Sequence, residues 1–219
     1  MTLDPRLYVI LDRTAARGRD LGEILDGALA GGCRLVQLRE KEWPSGRVYP
    51  LAERLRRRCR EAGAVFVVND RVDLAVAVDA DGVHLGQDDL PPTAARRLLR
   101  PGMILGLSTH SVEQARAAQA AGADYVAVGS MFPTSTKPDF QLVGPDLVRK
   151  LRPEIRAPLI GIGGITPANV AEVIRAGADG VAVISAVCAA PDPAATTREF
   201  LDAITTARKG RAQGGMATG

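Results

Sequence analysis

Eight short apolar runs, each followed by an amphipathic stretch, constrain the fold of this chain more than any other feature. Short runs rich in β-branched residues are typical of buried strands, and apolar residues at helical spacing between them are typical of helices. The repeat therefore predicts eight consecutive strand–helix units. The strands are expected at residues 7–12, 35–40, 65–70, 82–87, 103–109, 125–132, 158–164 and 180–187.

The ends of several predicted helices carry an alanine–glycine signature, which occurs at Ala30, Ala62, Ala121 and Ala176 shortly before a predicted strand. Glycine just past a helix can adopt the left-handed conformation that stops it. Strands as continuously apolar as these need cover on both faces, as in a parallel sheet. Eight such α/β units that close on themselves form a (β/α)₈ TIM barrel. An open, doubly wound sheet is the less favoured alternative, because no segment has the pattern of an edge strand.

The barrel is expected to form a single domain over residues 1–208, because glycine and proline fall at the unit boundaries and do not cluster into a linker. The last residues, 209–219, have no apolar periodicity and are expected to form a disordered tail. A chain of 219 residues, 46% of them hydrophobic and 24% charged, can bury a sizeable core.

The charge balance and the cysteines exclude several classes of protein. A net charge of +3, spread along the chain, does not mark a nucleic-acid surface. Three widely spaced cysteines without a CxxC motif indicate neither a disulfide framework nor a zinc site. No basic segment followed by an apolar run opens the chain, and no run reaches the ~18 apolar residues of a membrane span. We therefore expect a cytoplasmic protein that binds small molecules and neither nucleic acid nor membrane.

Polar and charged residues collect where predicted strands 2 to 5 end, and in a TIM barrel this end of the strands carries the reactive groups. Asp70 and Asp89 follow strands 3 and 4, and Mg²⁺ is commonly held by one or two carboxylates together with water and phosphate oxygens. Asp88 is an equally placed competitor of Asp89. Alternatively, each carboxylate caps a helix. The presence of two carboxylates on neighbouring loops favours the metal.

Two further loops carry groups that suit phosphate. Residues 134–137, after strand 6, combine three hydroxyl groups with the ammonium of Lys137, a set that can hold phosphate oxygens. The glycine-rich residues 161–164, after strand 7, let backbone N–H groups approach an anion, and the loops after strands 7 and 8 often bind phosphate in this fold. The alternatives are a Ser/Thr-rich turn with a solvated lysine, and tight turns that merely need glycine.

The two histidines are interpreted differently. His84 lies within predicted strand 4, where a hydrogen-bonded structural histidine is the favoured interpretation. His110 follows strand 5 at the mouth of the barrel, where it could act as an acid, a base or a donor to phosphate.

Seven short motifs in a fixed order resemble the thiamine phosphate synthase family, whose members join a pyrimidine diphosphate to a thiazole phosphate. The resemblance extends over residues 7 to about 204, and the joint order of the motifs is more specific than any one of them. The motifs are Gln37-Leu-Arg-Glu-Lys41, Val68-Asn-Asp70, His84-Leu-Gly-Gln-Asp-Asp89, Gly106-Leu-Ser-Thr-His110, Thr134-Ser-Thr-Lys137, Gly161-Ile-Gly-Gly-Ile165 and Ile184-Ser185.

The resemblance implies a transferase with two substrate sites, Mg²⁺ as cofactor and no protein nucleophile. In the family the diphosphate departs to leave a pyrimidine methyl cation, which the thiazole nitrogen captures. By this resemblance Mg²⁺ would lie on Asp70 and Asp89, not Asp88. The pyrimidine diphosphate would be held by Gln37, Leu38, Arg39, Glu40, Lys41, Asn69, Ser108 and Lys137. The thiazole phosphate would be held by Thr134, Ser135, Thr136, Gly164, Ile184 and Ser185. The expected catalytic residues, which act on the departing diphosphate, are Arg39, Lys41, Ser108 and Lys137.

Three other functions compete with the synthase. A thiazole tautomerase would need a proton-shuttling histidine and could dispense with metal carboxylates, whereas Asp70, Asp89 and the cations of the first motif are retained here. A Schiff-base aldolase would need Lys41 desolvated inside the barrel, and Lys41 lies in a charged loop. A non-catalytic barrel that senses thiamine phosphate stays open, although Mg²⁺ and cationic groups together exceed what passive binding requires. The sequence does not specify whether the chain forms a homo-oligomer.

Overall fold

The computed structural model is a closed barrel of eight parallel strands. It describes residues 3–134 and 141–214, with side chains up to residue 210. The strands pair in chain order, and the last pairs with the first to close the barrel. This confirms the barrel predicted from the repeat. The strands are β1 (Leu7–Asp12), β2 (Leu35–Arg39), β3 (Val65–Asn69), β4 (Gly82–Leu85), β5 (Ile104–Thr109), β6 (Tyr125–Gly129), β7 (Leu159–Ile162) and β8 (Gly180–Val183).

Helices alternate with the strands and form the outer layer of the barrel. Two successive helices follow the last strand. The helices found in the described residues are α1 (Leu21–Ala30), α2 (Ser45–Glu61), α3 (Val72–Ala77), α4 (Pro92–Leu98), α5 (Val112–Ala120), α6 (Gly144–Leu151), α7 (Val170–Arg175), α8 (Ser185–Cys188) and α9 (Pro193–Gly214).

Several strands end earlier than the apolar pattern predicts. β6 ends at Gly129 instead of residue 132, and β8 ends at Val183 instead of residue 187. The segment after β8 forms the short helix α8, in which Val187 and Cys188 are buried. A short apolar run reports burial and does not by itself separate a strand from a helical turn. The correction moves Ile184 and Ser185 from the sheet to the rim of the barrel.

Two apolar clusters pack on opposite faces of the strands. Successive side chains of a strand point to opposite faces, so one set fills the barrel and the other packs under the helices. The interior is therefore a packed core and not a pore. The inner cluster consists of Tyr8, Ile10, Leu35, Val65, Val67, Tyr125, Ile160 and Ala182. The outer cluster includes Leu11, Ile24, Leu55, Phe66, Leu85 and Phe200.

Three aspartates brace the end of the barrel where the strands begin. Asp81, Asp124 and Asp179 directly precede β4, β6 and β8. Each carboxylate accepts a backbone N–H from the start of the preceding strand and pairs with an arginine in or directly after a helix of the outer layer, so it links two strands to that layer. The N–H donors are Phe66, Leu105 and Leu159, and the arginines are Arg56, Arg96 and Arg152.

The last helix extends further than the sequence analysis expects. It continues to Gly214 and so includes the first part of the expected tail, while residues 215–219 lie outside the described residues. Phe200 and Ile204 of α9 are buried, and the helix packs against α1 and α7. The division at residue 208 stays a prediction. Within the described residues, no helix combines the length and apolar character that a membrane crossing requires.

Candidate active site

Two cavities open side by side where the strands end. The β2–β5 cavity, lined mainly by residues at the ends of those strands, has a volume of 370 Å³. The β6–β8 cavity, lined mainly by the ends of the last three strands, has a volume of 290 Å³. Ser108, His110, Ile162 and Ile184 line both cavities and form the wall between them. A molecule bound in one cavity would therefore lie next to a molecule bound in the other.

The end of β2 supplies three polar side chains to the β2–β5 cavity. Gln37, Arg39 and Lys41 are two residues apart, and all three line the cavity. Leu38 points the other way and is buried under the helices. The structure therefore does not bring the Leu38 side chain to the cavity, and only its backbone lies near the site.

Two acidic residues hold the cationic side chains near this cavity. Asp12, at the end of β1, is 4% exposed, pairs with Arg39 and accepts the backbone N–H of Ala15 at 2.8 Å. Glu40 pairs with Arg13 at 2.8 Å and accepts a backbone N–H from the following loop. Glu40 lines a neighbouring pocket and not the β2–β5 cavity. Its carboxylate therefore organises the loop beside the cavity.

Asp70 and Asp89 lie together in the β2–β5 cavity, next to Asn69. Their carboxyl groups interact with each other, and the Lys41 Nζ atom lies 2.6 Å from the Asp70 Oδ2 atom. Burial raises the pKa of Asp70, the Lys41 ammonium opposes this rise, and the neighbouring Asp89 adds to it. Two ionised carboxylates in contact repel each other, and a divalent cation relieves that repulsion. The pair could therefore hold a divalent cation.

The alternative role of these carboxylates, helix capping, is not observed. Both α3 and α4 begin without a side-chain cap. Asp89 instead accepts the backbone N–H of Gly86 at 2.6 Å, which fixes the loop after β4. Asp88 lines the same cavity but is exposed, whereas Asp89 contacts Asp70. Across residues 3–134 and 141–210, no cluster of three or more His, Cys, Asp or Glu side chains suits a metal ion.

The β6–β8 cavity has a glycine wall at the end of β7. Gly163 and Gly164 have φ values of +100° and +64°, which side chains rarely allow. A Cβ atom on Gly164 would lie 2.8 Å from the Phe132 carbonyl oxygen, so Gly164 packs directly against the segment that leads to Thr134. The described residues expected for the thiazole phosphate all line this cavity: Thr134, Gly164, Ile184 and Ser185. The predictions for Ser135, Thr136 and Lys137 lie outside the described residues.

The two histidines have different surroundings. His84 is 7% exposed, and its Nδ1 and Nε2 atoms lie 2.9 Å from the Tyr125 hydroxyl and 2.8 Å from Ser108 Oγ. This confirms the hydrogen-bonded histidine expected at position 84. His110 is part of the wall between the cavities, and its Nδ1 atom lies 2.6 Å from the Gly129 carbonyl oxygen.

Sequence analysis missed Asp12 and the two tyrosines inside the barrel. Asp12 is the last residue of β1, so the rule that places reactive residues at strand ends could have found it. Tyr8 and Tyr125 lie at strand positions that point into the barrel, where apolar residues are expected. No local pattern shows that their hydroxyl groups meet, because the two residues are 117 positions apart in the chain.

Comparisons with known proteins identify the family of this chain. Residues 7–187 match a family model described as thiamine monophosphate synthase. Thiamine-phosphate synthases of Moorella thermoacetica and Haloquadratum walsbyi are 49% and 47% identical over 203 and 210 residues, which cover 92% and 94% of this chain and 97% and 94% of theirs. A solved structure, thiamine phosphate pyrophosphorylase from Pyrococcus furiosus, matches with a TM-score of 0.86 and 41% identity over 93% of this chain and 97% of that one. The chain therefore belongs to the thiamine monophosphate synthase family.

Proposed function

We propose that this chain is a thiamine-phosphate synthase. It condenses 4-amino-2-methyl-5-hydroxymethylpyrimidine diphosphate with 4-methyl-5-(2-phosphoethyl)thiazole to give thiamine phosphate and pyrophosphate. The observation that carries the proposal is the pair of adjacent cavities that share one wall, because a condensation needs two substrates held side by side. Membership of the family supports the same reaction.

Each substrate is assigned to one cavity. The β2–β5 cavity holds the pyrimidine diphosphate, because its cationic side chains suit an anion with two phosphates. The β6–β8 cavity holds the thiazole phosphate, because serine and threonine side chains and the glycines at the end of β7 line this smaller cavity. The residues proposed for the first substrate are Gln37, Arg39, Lys41, Asn69 and Ser108, with the backbone of 38–40 and Lys137. Those proposed for the second are Thr134, Ser135, Thr136, Gly164, Ile184 and Ser185.

Asp70 and Asp89 are the proposed ligands of Mg²⁺. Their contact and the raised pKa of Asp70 are the features that a bound cation would relieve. Bound Mg²⁺ would neutralise part of the diphosphate charge and stabilise it as a leaving group. Lys41, which pairs with Asp70 at 2.6 Å, lies close enough to exchange that carboxylate for the diphosphate when substrate and cation bind.

The proposed reaction needs charge stabilisation and no protein nucleophile. The bond between the pyrimidine methylene carbon and the diphosphate oxygen breaks, and its electron pair leaves with the diphosphate. Arg39, Lys41 and Lys137 bind that departing anion. The thiazole nitrogen then donates its lone pair to the methylene carbon and forms the new bond, so no proton transfer is required. Ile162 and Ile184, in the wall between the cavities, keep water away from the pyrimidine methyl cation until the thiazole nitrogen captures it.

The substrates are small molecules, and we place the enzyme in the cytoplasm as residues 1–208 of one catalytic barrel. The three cysteines support a reducing compartment, because all of them are buried free thiols.

The decisive test is a turnover assay with the purified full chain, both substrates and Mg²⁺. We expect pyrophosphate and thiamine phosphate to form in equal amounts, and neither to form when the thiazole phosphate is omitted. A tautomerase would convert the thiazole phosphate alone without releasing pyrophosphate, and a passive sensor would bind thiamine phosphate without turnover. Either result would refute the proposed synthase function.

A further inference from the structure

A continuous chain of hydrogen bonds crosses the inside of the barrel below the β2–β5 cavity. Gln37 Nε2 donates to the Tyr8 hydroxyl at 2.6 Å, and the Tyr8 and Tyr125 hydroxyls are 2.9 Å apart. The Tyr125 hydroxyl lies 2.9 Å from His84 Nδ1, and His84 Nε2 lies 2.8 Å from Ser108 Oγ. The chain begins and ends on Gln37 and Ser108, which both line the cavity.

The middle of this hydrogen-bond chain is buried, and only His84 reaches the lining of the cavity. Tyr8, Tyr125 and His84 are 1%, 0% and 7% exposed. The tyrosine rings meet edge to face with centroids 5.6 Å apart, and the imidazole stacks on Tyr125 at 5.5 Å. Burial raises the pKa of both tyrosine hydroxyls far above neutral, so both stay protonated and each has one proton to donate.

The Gln37 carboxamide sets the direction of the chain, because its Nε2 atom only donates. The Tyr8 oxygen accepts that bond, and the Tyr8 proton then goes to Tyr125, since no other hydrogen-bond partner of this hydroxyl occurs among the described residues. By the same reasoning Tyr125 donates to Nδ1 of His84. A neutral imidazole carries one N–H, so His84 keeps its proton on Nε2 and donates it to Ser108.

The tautomer of His84 determines the orientation of the Ser108 hydroxyl. Its oxygen accepts the His84 proton, and its own proton remains for a group bound in the cavity. An anion accepts hydrogen bonds and donates none, so this orientation suits a diphosphate.

We propose that His84 is a positioning residue: held by Tyr8 and Tyr125 in the Nε2–H form, it presents the Ser108 hydroxyl as a hydrogen-bond donor to the diphosphate of the bound substrate. The identity of that anion rests on the proposed function. The proton position on His84 is a property of the free protein and does not depend on the proposed function.

The first test reads the proton position directly by NMR. The protein has two histidines, His84 and His110, so the imidazole signals of the ¹⁵N-labelled full chain are assigned with one variant, His110→Gln. His110 is the internal reference, because its Nδ1 atom faces the Gly129 carbonyl oxygen, which only accepts. We expect long-range ¹H–¹⁵N spectra at neutral pH to show Nε2–H for His84 and Nδ1–H for His110. Nδ1–H or a doubly protonated ring at His84 would overturn the proposal, whatever the activity.

The second test uses two amide variants that differ in reach. The side-chain nitrogen of His84→Gln can take the place of Nε2 and donate to Ser108, whereas His84→Asn reaches Tyr125 but not Ser108. We expect His84→Asn to lower kcat/KM for the pyrimidine diphosphate about 10- to 100-fold, the range for one misdirected hydrogen bond to a charged group. His84→Gln should stay within about fivefold of the parent protein. Binding of the thiazole phosphate, measured by calorimetry, should be unchanged in both.

A double-variant cycle separates positioning from packing. If His84 acts only through Ser108, then Ser108→Ala should cost as much as His84→Asn, and the two together should cost no more than either alone. Additive losses, or equal losses in His84→Asn and His84→Gln, would show that His84 serves packing and would overturn the proposal. A parent protein without any turnover would refute the proposed function, and the proton position would still decide the role of His84.

Discussion

Replacing Asp12 with asparagine would leave Arg39 without its buried counter-charge and would make the stability of the protein depend on bound pyrophosphate. The Asp12 side chain is 5% exposed and that of Arg39 is 18% exposed. Asparagine keeps an oxygen for the Ala15 N–H, which Asp12 accepts at 2.8 Å, so the change removes the charge and preserves the turn after β1. The freed guanidinium then lines a cavity that, in the proposed function, receives an anion.

The expected cost lies between those of buried and exposed ion pairs. Removing one partner of a buried pair costs about 3–5 kcal/mol, and a surface pair contributes about 1 kcal/mol or less. Because Arg39 is partly exposed, we expect Asp12→Asn to lower the free energy of unfolding by about 2–3 kcal/mol. For a chain of this length, that corresponds to a fall in Tm of about 4–12 °C.

Pyrophosphate with Mg²⁺ should reduce the difference in free energy of unfolding between the parent protein and Asp12→Asn, because the bound anion replaces the lost carboxylate beside Arg39. By linkage, each 1 kcal/mol by which this difference in unfolding free energy shrinks must appear as about fivefold tighter binding of pyrophosphate to the variant than to the parent protein. Urea unfolding followed by circular dichroism, with and without pyrophosphate, measures the first quantity. Calorimetric titration measures the second.

Asp179→Asn is the matched control. Asp179 also accepts a backbone N–H, from Leu159 at 2.8 Å, and pairs with Arg152 at 2.7 Å, but at the opposite end of the barrel. It should lose stability by the same amount with and without pyrophosphate. The prediction would be refuted if pyrophosphate reduced the stability loss equally in both variants, or did not reduce it in Asp12→Asn.

The remaining predictions concern the cation, the glycine wall and the thiols. Asp70→Ala should lower kcat/KM for the pyrimidine diphosphate roughly 10²- to 10³-fold and leave thiazole phosphate binding intact, whereas equal loss of both would indicate misfolding. Asp89→Ala should behave likewise and Asp88→Ala should not; the reverse would assign the cation to Asp88. Gly164→Ala should raise the KM for the thiazole phosphate about tenfold or more, because its Cβ would meet backbone at a φ of +64°. Gly63→Ala, with a φ of +67° and nothing within 4 Å, should cost stability and leave that KM unchanged. Burial raises the pKa of Cys33 and Cys188 to about 11, so about one in a thousand of these thiols is ionised at pH 8; a thiol reagent should label the native protein slowly and all three thiols rapidly after unfolding.

The barrel and much of its mouth could be predicted because both follow from local patterns. The eightfold repeat is visible along the chain, and the end of each strand faces the same way in a parallel barrel. The sequence therefore predicts that Gln37, Arg39 and Ser108 lie at one mouth, and the structure brings them to one cavity. The division of these residues between two substrates follows from the family resemblance and not from their spacing.

What escaped prediction depends on contacts between distant parts of the chain. The Asp12–Arg39 pair exists because β1 and β2 are in register, and that register is set by the whole barrel. The sequence analysis places Ser185 in β8, whereas the residue begins α8, because burial of Val187 gives the same apolar signal in a strand and in a helix. Asp88 and Asp89 are adjacent in sequence, so spacing does not distinguish them, whereas in the structure Asp89 contacts Asp70 and Asp88 is exposed.

TIM barrels are usually described as having one end for stability and one for function, and the Asp–Arg pairs fit that division. The Asp179–Arg152 pair lies at the end where the strands begin, whereas Arg39, the partner of Asp12, lines the β2–β5 cavity and in the proposed function faces the diphosphate. The chain of hydrogen bonds inside the barrel does not fit that division. Tyr125 is fully buried and belongs to the packed core, yet its hydroxyl lies two hydrogen bonds from Ser108. Part of this core therefore performs both tasks, and a change beneath the mouth can alter the site without touching a residue that meets the substrate.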